Sequence, residues 1–257
     1  MYTRTRFMIR MPIYIACFTY IMMFGYLNFV RGEVESQANS PRTAVTRSQV
    51  QILQVGEFFY EISADPNKVW MGLFPTKEGY SLMPSEIRID AFYNPTIGGD
   101  ENMTGATRVS VHGDNPPLFL ITGLESLRAG MVKTLFAGRL PLPPESLLEF
   151  TLDNENPYSI TALGGMESNA GGVDHRVELV KGSRSQVICS FARTDVAVTY
   201  LLWAGDLDRD GQLDMLIDTV CDYNASGPML LLSSFAEDGD LLQMVAQFET
   251  SPALVLN

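Results

Sequence analysis

Between Asp206 and Asp214 four aspartates, Asp206, Asp208, Asp210 and Asp214, alternate around one glycine, Gly211. Carboxylates at this spacing repel one another, and no compact turn forms there at low cost unless the charge is compensated. A bound divalent cation removes the repulsion. Calcium takes about six to eight oxygen ligands, and a loop with side chains at positions 1, 3, 5 and 9 and a carbonyl at position 7 supplies most of them. The expected metal ligands are therefore Asp206, Asp208, Asp210 and Asp214, with Gln212 contributing its C=O. Gly211 at position 6 permits the sharp turn, because a residue without Cβ tolerates positive φ. The competing reading is a solvated acidic turn that holds no ion.

The flanks of the loop predict strands, not helices. Upstream, Val196 to Trp203 reads Val-Ala-Val-Thr-Tyr-Leu-Leu-Trp, and downstream Met215-Leu216-Ile217 is apolar; β-branched and aromatic residues favour the pleated conformation. The EF-hand also needs a bidentate Glu at position 12, where this chain has Ile217. The run Gly-Asp-x-Asp-x-Asp-Gly-x-x-Asp followed by apolar residues resembles the strand–loop–strand calcium sites of the FG-GAP and VCBS repeats, known from integrin α-subunit propellers and secreted bacterial proteins. By position, the resemblance implies the same four aspartates as side-chain ligands, Gln212 as the carbonyl ligand, and Asp218 as a group behind them. It covers roughly twenty residues. A propeller needs several blades of roughly forty to sixty residues, each with its own loop. Only one copy is present: Glu237-Asp238-Gly239 lacks alternating carboxylates, and Asp153 to Glu155 lacks the glycine. More loosely, the C-terminal half resembles exported bacterial proteins carrying a single such loop.

The N-terminus predicts export. Arg4, Arg6 and Arg10 precede an uncharged, mostly apolar run from Met11 to Val30, long for a signal peptide and long enough to span a bilayer. Residues 1–38 are read as a signal peptide cleaved after Ala38, with a retained anchor at 11–30 as the alternative. The protein is then periplasmic or secreted, or held at the inner membrane, with its basic flank cytoplasmic. Losing Arg4, Arg6, Arg10, Arg31, Glu33 and Glu35 moves the net charge from −12 to about −14, which argues against nucleic acid as a partner. Cys189 and Cys221 remain after cleavage and form either a disulfide or two buried thiols. With only His112 and His175, zinc is a poor fit.

Residues 39–55 are polar and expected to form a linker, followed by an N-terminal β region at 56–140 and a C-terminal β region at 141–257 that holds the loop. Short strands recur: Val69 to Phe74 and Tyr80 to Leu82 flank a Pro75 to Gly79 hairpin connection, and Ile87 to Ala91 alternates with period two. Only Leu124 to Arg128 suggests a helical turn. The fold class is mainly β, an antiparallel sandwich or barrel-like arrangement in one or two domains. Pro141, Pro143 and Pro144, within Gly138 to Glu145, mark either a domain boundary or a rigid loop. Two polar stretches, Pro95 to Thr107 and Gly164 to Asp174, are the expected binding loops.

Catalytic signatures are missing. The chain has no Gly-x-Ser-x-Gly elbow, His-Glu-x-x-His pair, phosphate loop or dinucleotide fingerprint. His112 near Asp114 and His175 after Asp174 read as surface chemistry, while Trp70, Tyr80, Tyr93 and Tyr158 either line a ligand face or fill a β-core. The expected function is a non-catalytic, calcium-binding structural or binding module of the cell envelope, whose partner is an envelope protein or a glycan. The alternatives are a secreted hydrolase of polysaccharide or peptidoglycan with structural calcium, using two carboxylates about 5 to 9 Å apart, and a sensor that folds only with the ion.

Overall fold

Runs of Val, Ile, Leu and aromatic residues broken by Gly, Pro and Asn make this chain strand after strand. A computed structural model describes residues 50–58, 62, 64–92, 106–152, 156–166, 173–194, 198–220 and 227–248, all inside one compact unit, Val45–Asn257. The strands are β1 (Gln51–Leu53), β2 (Gly56–Phe58), β3 (Trp70–Thr76), β4 (Gly79–Ser85), β5 (Ile87–Phe92), β6 (Ala106–Val111), β7 (Leu120–Thr122) and β8 (Gly130–Leu142). They continue as β9 (Leu147–Phe150), β10 (Tyr158–Met166), β11 (Val173–Lys181), β12 (Arg184–Thr194), β13 (Val198–Asp206), β14 (Asp214–Val220), β15 (Pro228–Leu232) and β16 (Gln243–Gln247), with a 3-10 turn at Ser233–Phe235.

Every described pairing is antiparallel, as expected. Nine strands make the main sheet, in the order β1-β7-β3-β4-β8-β13-β14-β15-β16. Its end strands β1 and β16 approach one another, so the sheet is nearly closed and barrel-like. Smaller sheets, β12-β11-β10-β9 and β2-β6-β5, complete the fold.

Two cores lie on opposite faces of the main sheet. One gathers side chains from all nine of its strands, including Trp70, Leu82, Trp203 and Leu230, and takes in Ile87 and Val109 of the three-stranded sheet. The other sits between β13–β15 and the four-stranded sheet, which contributes Tyr158, Ile160, Val177 and Leu179. Leu216 of β14 faces the first core while Met215 and Ile217 face the second. Strands covered on both sides must be apolar throughout, which is why Met229-Leu230-Leu231-Leu232 shows no alternation. A register shift between Leu201 and Trp203 turns both Leu202 and Trp203 into the first core. The pleat then resumes, with Ala204 in the second.

Several sequence expectations need correcting. The hairpin strands run further than foreseen, Thr76 pairing with Gly79 across Lys77-Glu78, because Pro75 and Gly79 are accommodated in the ladder. Gln51–Leu53, at the end of the expected polar linker, pairs with β7 and buries Ile52 and Leu53. The proline-rich stretch from Gly138 is strand as far as Leu142, since β8 passes its ladder from β4 at Gly130–Val132 to β13 beyond it. The expected helical turn at Leu124 to Arg128 is an irregular turn. Both ends of the Gly164 to Asp174 stretch, 164–166 and 173–174, belong to β10 and β11, and 167–172 lie outside the described residues. The N-terminal segment 1–38, Tyr93 and Cys221 lie outside the described residues; among the described residues no helix is long and apolar enough to cross a membrane.

Gly205 leaves no room for a side chain where β13 pairs with β8. A Cβ at that position would lie 2.2 Å from the Lys133 carbonyl oxygen and 2.6 Å from the Trp203 ring. Gly205→Ala is expected to force the two strands apart and to lower stability by about 1–3 kcal/mol. Urea denaturation checks this, and a change within about 0.5 kcal/mol would contradict the packing described.

Candidate metal centre

The aspartate loop is held by its ends. Asp206 is the last residue of β13 and Asp214 the first of β14, and the two strands pair up to Gly205 and Asp214. Both end carboxylates are buried, at 8% and 0% exposure, whereas Asp208 is half-buried and Asp210 exposed. The turn between them uses positive φ at Arg209 (+67°) and at Gly211 (+83°). Glycine takes that conformation readily, but an arginine there costs about 1–2 kcal/mol. Short side-chain bonds stabilise it: the Asp210 N–H donates to Asp208 Oδ1 (3.3 Å), the Gln212 N–H to Asp210 Oδ1 (2.7 Å) and the Gly211 N–H to Asp206 Oδ2 (3.1 Å).

Asp206, Asp208 and Asp210 each bring a carboxylate oxygen within 4.8 Å of the others. At that separation each pair repels by roughly 1 kcal/mol in water and roughly 3 kcal/mol near a protein surface. Asp206 Oδ1 is buried with no hydrogen-bond partner, an arrangement that a cation would satisfy. All the convergent donors are hard oxygens, which fits a divalent ion of the calcium or magnesium type better than a soft metal. The described cluster could thus hold a metal ion. Asp214 sits beneath it, accepting from the Leu207 N–H (2.8 Å), the Ser233 N–H (2.9 Å) and Ser233 Oγ (3.0 Å). Gln212, expected to offer its carbonyl, is exposed and uses its N–H within the loop.

Two serines that the loop's own residues do not point to also reach the aspartates. Ser233 Oγ also lies 2.9 Å from Asp210 Oδ2, so its one hydrogen is shared between Asp210 and Asp214, and Ser234 Oγ donates to Asp208 Oδ2. Both come from the 3-10 turn after β15, and no local motif links that turn to a loop some twenty residues upstream. Asp218, expected behind the ligands, occupies a different place. Its Oδ1 accepts from the Gly227 N–H (2.9 Å) and its Oδ2 lies 3.0 Å from Arg139 Nη1, and that guanidinium also covers the Tyr200 ring at 4.0 Å.

The other candidates separate from this centre. His175 is buried, not at the surface, with Nε2 3.1 Å from Thr199 Oγ1 and its ring stacked on Phe191; burial holds its pKa below the ordinary value. Cys189 is half-buried, with Sγ 3.5 Å from the same hydroxyl. Trp70 and Tyr158 are core residues. Tyr158 supports the loop from below, its hydroxyl accepting from Lys181 Nζ (2.8 Å) and the Leu213 N–H (3.4 Å).

Comparison with protein-family models, with curated proteins and with solved structures finds no match to this chain.

Burial, assisted by the Asp208 charge and opposed by the Ser233 and Leu207 N–H bonds, pushes the Asp214 carboxyl up to about 7. Asp206 is also raised, by burial first and then by the Asp210 and Asp208 charges, against the Gly211 and Arg209 N–H groups, which favour its charged form. A raised carboxyl favours the folded state when protonated. Its contribution is complete below about pH 4 and is lost as pH rises through 7. In chelator, stability should therefore fall between pH 4.5 and 7.5 by up to about 1.4 kcal/mol per pH unit, and Asp214→Asn should flatten most of that slope. Denaturation at the two pH values decides the matter; an unchanged slope in Asp214→Asn contradicts the assignment.

Proposed function

We propose that this protein is an exported, non-catalytic calcium-binding β-protein of the cell envelope, in which the ion orders the 206–214 loop and rigidifies the surface around it. The observation that carries the reading is the convergence of three aspartate oxygens within 4.8 Å beside a buried Asp206 oxygen that has no partner. The FG-GAP-like spacing of the loop supports calcium, as does its position between two antiparallel strands. Calcium also accepts irregular, higher-coordinate oxygen sets that magnesium does not. An extracellular-type site binds at about 10⁻⁴ to 10⁻³ M, which suits constant occupancy outside the cell. Export rests on the basic and apolar N-terminal segment, and the acidic balance favours cation binding over nucleic acid. The partner on this reading is an envelope protein or a glycan.

At calcium about one hundred times the dissociation constant, binding should stabilise the fold by about 2.7 kcal/mol. That corresponds to a melting temperature raised by roughly 5–10 °C, with a smaller rise in equal magnesium. Asp208→Ala or Asp210→Ala should abolish the rise, and the loss in chelator, where these side chains still accept from Ser234 and Ser233, should be clearly smaller than the loss in calcium. Equal destabilisation in both conditions, or no calcium-dependent rise in the unaltered protein, would sink the calcium reading. Export is tested separately: N-terminal sequencing of the chain recovered from an envelope fraction should begin at Asn39 if the signal is cleaved, or retain residues 11–30 if it is an anchor. Recovery only from the cytoplasm would reject both.

A further inference from the structure

We propose that the cation loop sets the wall of a neighbouring cleft, with Arg209 as the mechanical link between them. The inference rests on the calcium reading and adds to it a regulated surface. Arg209 stands between Asp208 and Asp210, in the left-handed conformation, yet its guanidinium turns out of the loop. Nε donates to the Met131 carbonyl (3.1 Å) and Nη2 to the Arg128 carbonyl (3.3 Å). Gly130 makes room for it: its φ is +123°, and a Cβ there would lie 3.1 Å from Arg209 Nη2.

The segment held in this way, 123–131, forms part of a cleft of about 570 Å³ lined by Val69, Met71, Leu124, Glu125, Leu127 and Arg128, among others. Arg128 folds back on its own turn, donating through Nη1 to the Glu125 and Leu127 carbonyls. The turn is tied to itself by Arg128 and to the metal centre by Arg209. An ion that draws Asp208 and Asp210 together fixes the backbone of the residue between them. Without the ion, mutual repulsion favours a more open loop, from which the Arg209 side chain no longer meets both carbonyls. Within the cluster, buried Asp206 Oδ1 has no hydrogen-bond partner, which leaves it open to a ligand. Cation occupancy and cleft shape are then two readouts of one equilibrium.

Hydrogen exchange on the full chain, in calcium and in chelator, tests the link. In the unaltered protein calcium should slow exchange by about five-fold or more in both 206–214 and 123–131. Arg209→Gly keeps the left-handed conformation accessible and removes only the side chain. It should retain calcium protection of 206–214 and lose that of 123–131, while Arg209→Lys, with a single donor group, should restore part of it. The proposal is overturned if 123–131 still responds in Arg209→Gly, or if it never responds in the unaltered protein although 206–214 does. If 206–214 itself shows no calcium response, the cation reading has failed and the coupling falls with it, an outcome distinct from the failure of the link alone.

Discussion

Strands β13, β14 and β15 are buried on both faces, and the geometry of the aspartate loop depends on that. A strand clamped between two cores cannot slide or twist without exposing apolar side chains on one face or the other. The clamp includes Trp203 and Leu216 on one side and Ala204, Met215 and Ile217 on the other. The pair β13–β14 therefore delivers Asp206 and Asp214 to fixed positions. The bulge at Leu201–Trp203 and the glycine facing the Lys133 carbonyl settle how that end of the hairpin meets β8. The loop's own N–H groups help to hold like charges close, and the scaffold fixes its two ends.

The two ends of β14 show how differently a buried carboxylate can be accommodated. Asp218 is answered by the guanidinium of Arg139, itself laid over Tyr200, and by a backbone N–H. Asp214, at the other end, is answered by the N–H groups of Leu207 and Ser233 and by a hydroxyl, and its neighbours in the loop are further acids. Hydrogen bonds from neutral donors favour the charged carboxylate, but at Asp214 burial outweighs them and raises its pKa to about 7. The three acids that converge beside it could hold a metal ion, whereas Asp218 is paired with Arg139. Arg209, the cation nearest in sequence, spends its donors on the carbonyls of the 128–131 turn instead of on the acids.

Much of the fold was legible in the chain because strand signals are local. Alternation in β11, where Val177 and Leu179 point inward and Arg176 and Glu178 do not, can be read from adjacent residues. So can the unbroken apolar runs of β14 and β15. Misreadings fell where a local signal competes with a ladder. Prolines at 75 and 141 look like breaks, yet each occupies a strand position. Gln51–Leu53 looks like the tail of a polar linker, yet β7 recruits it. His175, beside an aspartate in an apparent polar loop, turned out to be buried against Phe191 and Thr199, because β10 and β11 extend into that stretch.

By itself the sequence determined a mainly antiparallel β-protein and a loop whose alternating aspartates and single glycine can turn around an ion, because side-chain period, turn chemistry and charge spacing all act over a few residues. Tertiary structure decided which acids meet. It gathered Asp206, Asp208 and Asp210, set Asp214 beneath them, sent Asp218 to Arg139, and brought Ser233 and Ser234 from beyond β15 to the loop's edge. Those outcomes depend on how three buried strands stack between two cores, and that is a long-range packing result that no stretch of adjacent residues encodes.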